Sequence, residues 1–131
     1  MKAVTRLLII AAFSGLLTAC GHSFPVEILP DTLTYTEYYK GNVIQTAVVR
    51  KGTPIYDAIY KILADNGSGW DIDDATYAPV EYFRAENVTV NCMDNLVAIN
   101  YPDEKGKWQQ LSKKINGCKN AINNAKIHKA Q

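Results

Sequence analysis

The chain has 131 residues, 47% of them hydrophobic and 21% charged, with a formal net charge of +1 at pH 7. That length suits one compact domain around one hydrophobic core and excludes two. The near-balanced charge excludes a nucleic-acid binder, because the lysines lack the interleaved arginines and aromatics of such a surface.

Lys2 and Arg6 open the chain, Leu7 to Leu17 is an apolar run, and small residues lead to Cys20. The run is about half the roughly 20 residues that a membrane-spanning helix requires, so it reads as an export signal. Its end, Leu17-Thr18-Ala19-Cys20, resembles the lipobox of bacterial lipoproteins at all four positions. The resemblance implies that residues 1–19 are a signal peptide removed on export and that Cys20 becomes the acylated first residue. It also implies an outer-membrane location facing the periplasm, since Gly21 stands where an Asp would retain the protein at the inner membrane. Acyl methylenes buried in lipid contribute about 0.8 kcal/mol each, so the polypeptide needs no span of its own. An ordinary secretory signal would instead leave Cys20 a free thiol.

Residues 20–31 hold two prolines (Pro25, Pro30) and little periodicity, which predicts a lipidated tether that lets the domain stand off the membrane. The globular domain is then residues 32–131, with a frayed tail. Thr32 to Tyr39 alternates as strands do, Lys40-Gly41-Asn42 is a turn signal, and Val43 to Lys51 resumes a β-rich pattern. Together they predict a hairpin.

Thr53 suits an N-cap and Pro54 the first helical position, so a helix is expected from Pro54 to about Asn66, stopped by Gly67. Ile55, Ile59, Ile62 and Leu63 share one of its faces, while Tyr56 and Tyr60 either cover the hairpin or border a binding surface. After a loop from Gly67 to Thr76, Tyr77 to Arg84, Asn87 to Cys92 and Leu96 to Tyr101 predict a three-stranded meander. Finally, Trp108, Leu111, Ile115, Cys118 and Ile122 are spaced 3, 4, 3 and 4, predicting a helix from Lys107 to about Ala125. The expected fold is therefore α+β in the order ββαβββα, an antiparallel sheet with two helices on one face.

With Cys20 given to lipid, Cys92 and Cys118 remain in an oxidising compartment. Cys92 shares a strand face with Val88 and Val90, and Cys118 lies on the apolar stripe of the last helix, so both sulfurs should reach one core and form a disulfide. Two thiolates alone do not make a metal site, and the only histidines are His22 beside the anchor and His128 near the end. No metal or other cofactor is expected.

No serine stands in a Gly-x-Ser-x-Gly context and no histidine lies in the expected structured part to serve a nucleophile, so no catalytic residue is assigned. Thr53 to Glu104 holds ten acids against two basic residues, Lys61 and Arg84, whereas Lys105 onward holds seven lysines and no acid. Within the acidic part, the loop from Asp65 to Asp74 joins Trp70 to Asp71, Asp73 and Asp74 out of register for an EF-hand. Either Trp70 folds back to cap the core, or it anchors a protein partner within a charged rim formed by those three aspartates. The expectation that follows is a membrane-anchored lipoprotein that binds a protein, as immunity proteins and lysozyme inhibitors do, with an acidic middle that suits a basic partner. The alternative is a pilotin-like accessory of an envelope or secretion machine.

Overall fold

The computed structural model describes residues 21–129. Residues 1–20, which hold the expected signal segment and Cys20, and residues 130–131 lie outside them. The elements are β1 (Thr32–Tyr39), β2 (Asn42–Arg50), α1 (Pro54–Asp65), β3 (Asp71–Ile72), β4 (Glu81–Ala85), β5 (Val88–Cys92), β6 (Val97–Pro102), β7 (Trp108–Lys113) and α2 (Cys118–Lys129). The strands make one antiparallel sheet in the order β2-β1-β4-β5-β6-β7-β3, and the two helices pack on each other and on one of its faces. This is the α+β domain that the periodicities predict, with β3 and β7 added. Among the described residues no helix is long and apolar enough to cross a membrane.

Strand alternation builds the core. Tyr35 lies opposite Phe83, Phe83 opposite Val90, Val90 opposite Ile99, and Ile99 opposite Leu111. All five are buried, a continuous apolar row across five strands. Ile55, Ile59 and Leu63 of α1 and Ile122 of α2 close over that face. Cys92 and Cys118 are disulfide-bonded, with Cα atoms 5.7 Å apart, and this ties β5 to the first turn of α2.

The expected last helix divides. Trp108–Lys113 is β7, paired with β6 from Pro102↔Trp108 to Val97↔Lys113, and only Cys118–Lys129 is helical. The spacing of Trp108 and Leu111 fits a helix, but in a strand residues three apart fall on opposite faces: Leu111 is buried in the core and Trp108 is exposed on the other side. The turn before β7 is built by Asp103, whose carboxylate accepts the backbone N–H groups of Lys105 and Lys107. Gly117, with φ +91°, separates β7 from α2 in a conformation that disfavours other residues.

Residues 21–31 are packed on the domain and do not form a stand-off. His22 and Trp70 exchange two backbone hydrogen bonds of 2.7 and 3.0 Å, and the Phe24 N–H donates to the Gly67 carbonyl. Phe24 and Leu29 are buried in the core, so the two prolines shape a wrap around two apolar anchors.

Among the described residues the sheet's other face carries no helix. Residues 73–80 cross part of it, from β3 at one edge to β4 near the middle, because two amides hold them there. The Gln110 side-chain amide donates to the carbonyls of Asp73 and Ala75, and Asn91 both accepts from the Val80 N–H and donates to the Ala78 carbonyl.

Candidate functional site

The loop that joins Trp70 to three aspartates is mainly structural. Trp70 is 0% exposed, and its indole N–H donates to the Asn66 carbonyl at 2.6 Å. It caps the core beside Phe24, with ring centroids 6.3 Å apart, and offers no surface to a partner. Asp73 accepts from the Tyr77 hydroxyl and from the Ala75 N–H, and these bonds hold its carboxyl below the usual carboxylate range. Asp71 and Asp74 are exposed. The exposed tryptophan near these acids is Trp108, 51% accessible, which lines a groove of about 490 Å³ with Ile72, Asp73 and Asp74.

A second groove, of about 810 Å³, lies between Ser23, Pro25 and Ile28 of the N-terminal segment and Tyr101 to Lys105 at the end of β6 and its turn. Among the described residues neither groove is lined by a histidine or a cysteine. Among the described residues no three His, Cys, Asp or Glu side chains come together as metal ligands.

Sequence patterning gave no sign of a buried polar cluster on the helix-covered face. Glu81 is 1% exposed and accepts a 2.5 Å hydrogen bond from the Tyr35 hydroxyl. Lys126 of α2 lies 3.5 Å from Glu81, 3.1 Å from Glu37, and 5.9 Å from the centre of the Tyr35 ring. Burial, and then the bond to Glu81, raise the Tyr35 hydroxyl well above its ordinary value. The Gln45 amide foremost, with Lys126, holds Glu37 below its usual range. These contacts fasten α2 to β1 and β4.

The most unusual surface is the edge strand β2. Among the described residues it pairs only with β1, and its outer backbone groups have no strand partner there. From Asn42 to Val49 it has neither a charge nor a proline, and Val43, Ile44 and Val48 are each more than half exposed. Natural sheets blunt long edges with charges, prolines or short strands. The opposite edge follows that rule: β3 is two residues long, carries Asp71, and continues into the bridge to His22. Of the tyrosines near this edge, Tyr35 is buried, Tyr38 packs edge-on against Tyr82, and Tyr39 is exposed. The sequence signal for the exposed strand is its paired apolar residues, Val43-Ile44 and Val48-Val49, where a half-buried strand would alternate.

The chain matches no protein-family model, no curated protein and no solved structure.

Proposed function

We propose that this chain is a lipoprotein of the outer membrane, anchored through Cys20, that acts by binding another protein and not by catalysis. The proposed action is capture and neutralisation of a toxic or lytic enzyme in the periplasm, as an immunity protein or inhibitor does. The observation that carries the reading is β2: eight residues without charge or proline at a sheet edge, with apolar side chains exposed. Such an edge accepts an extended partner segment by strand addition, where the backbone supplies affinity and alternate side chains supply specificity.

The same strand supports a second reading, a pilotin-like accessory that joins an envelope or secretion machine through that edge. A basic partner finds no support at β2. Asp71 and Asp74 stand six strand spacings away, about 29 Å, which is more than three Debye lengths at physiological salt.

The test is capture of an exported enzyme by wild type, by Ile44→Lys/Val48→Lys, and by Asp71→Lys/Asp74→Lys. The edge variant should lose capture and inhibition while keeping its circular dichroism, and the loop variant should retain both. An edge variant that binds like wild type contradicts the proposal. Capture without loss of the enzyme's activity favours the accessory reading.

A further inference from the structure

The short path from Cys20 to the fold constrains how the domain stands on the membrane. We propose that the lipid holds the domain edge-on, with the β3 edge and its exposed Ile72 and Trp108 against the bilayer surface and β2 turned away. The inference rests on the proposed acylation of Cys20.

A free coil over residues 20–31 would allow a stand-off of roughly 18 Å and any orientation. The packing of residues 21–24 removes that freedom. His22 is fixed to Trp70 by two backbone hydrogen bonds, and Phe24 is buried between Trp70 and Tyr101, with ring centroids 6.3 and 5.2 Å away. Gly21 has φ +79°, and a Cβ there would lie 2.9 Å from the Trp70 carbonyl oxygen and 3.1 Å from Gly69. The chain is therefore pressed against the approach to β3 as far as Gly21. Cys20 is the next residue in the sequence, one peptide bond from Gly21. An acyl anchor on that residue places this edge at the headgroups.

Side chains on that edge suit such a position. Ile72 is 58% exposed and shares its groove with Trp108, whose amphipathic ring fits the membrane interface. Asp71 and Asp74 are exposed on the same edge, and the cost of burying their charges keeps the contact at headgroup depth. The matching lipid surface is zwitterionic. Across the sheet, about 29 Å away by strand spacing, β2 then faces the periplasm and is open to a partner.

The experiment uses the full chain, acylated in cells and reconstituted into phosphatidylethanolamine and phosphatidylcholine vesicles containing spin-labelled lipid. Single variants Ile72→Cys and Ile44→Cys carry a thiol-linked fluorophore, and acyl incorporation is verified on the same samples. Quenching at position 72 should exceed that at position 44 several-fold. Inserting a ten-residue Gly-Ser spacer between Cys20 and Gly21 should bring the two values together. Equal quenching at both positions in acylated protein of natural length overturns the edge-on placement and leaves the anchoring intact. Absence of acyl incorporation overturns the anchoring and, with it, this inference.

Discussion

Glu81 shows how little a residue type says about its setting. In the sequence it is one of ten acids in an acidic stretch, whereas in the fold it is 1% exposed and held by Tyr35 and Lys126. Its partners lie about 45 residues away on either side, so no local pattern reveals them. Tyr35→Phe leaves the buried carboxylate without its short donor and should cost about 1–3 kcal/mol in denaturant unfolding at neutral pH. It should also alter the alkaline limb. Because the folded state raises Tyr35 above its ordinary value near 10, its contribution is complete below that pH and is lost as pH rises through the folded value. Wild type should therefore lose stability more steeply above about pH 10 than Tyr35→Phe, and parallel curves would contradict this.

Trp70 makes the complementary case. A tryptophan beside acids has the composition of an interface anchor, yet its neighbours Phe24 and Asn66 make it a core residue. Trp70→Ala should lower stability by about 3–5 kcal/mol, the usual cost of emptying a buried aromatic site. Partner capture by the molecules that remain folded should be unchanged.

At the scale of elements, the sequence was most legible where a single period ran between clear breakers. The hairpin around Lys40-Gly41 and the helix opened by Thr53-Pro54 stand where the pattern predicts them. The disulfide followed from strand alternation on one side and the apolar stripe on the other. Opening the loop of about 27 residues between Cys92 and Cys118 should cost about 3.6 kcal/mol in the chain-entropy model. The midpoint difference between Cys92→Ala/Cys118→Ala and wild type measures it.

β7 was illegible because Trp108 and Leu111 are three apart and continue a helical spacing that runs on to Cys118. Its register depends on pairing with β6, a tertiary fact, although Asp103 to Gly106 already held a turn signal. The wrap of residues 21–31 was hidden for a similar reason. Phe24 and Leu29 are isolated apolar residues among prolines, and only the cavity they fill shows that they belong to the core.

For the whole molecule, the two sheet edges differ in kind. One is short, acidic and joined to the N-terminal segment, while the other is long, uncharged from Asn42 to Val49, and without a strand partner on its outer side among the described residues. The contrast between a blunted edge and a run from Asn42 to Val49 without charge or proline is what the proposed binding role rests on. Cys20 stays outside the described residues, but its neighbour Gly21 lies at the blunt edge, so the proposed anchor and the proposed binding edge are on opposite sides of the sheet.

The most direct measurement is site-specific photo-crosslinking in intact cells, with a photoreactive residue placed in turn at Ile44, Val48, Asp71 and Asp74. Ile44 and Val48 should give discrete adducts with another envelope protein, and Asp71 and Asp74 should not. Protein adducts confined to Asp71 and Asp74, with Ile44 and Val48 unreactive, would contradict the proposed binding at β2.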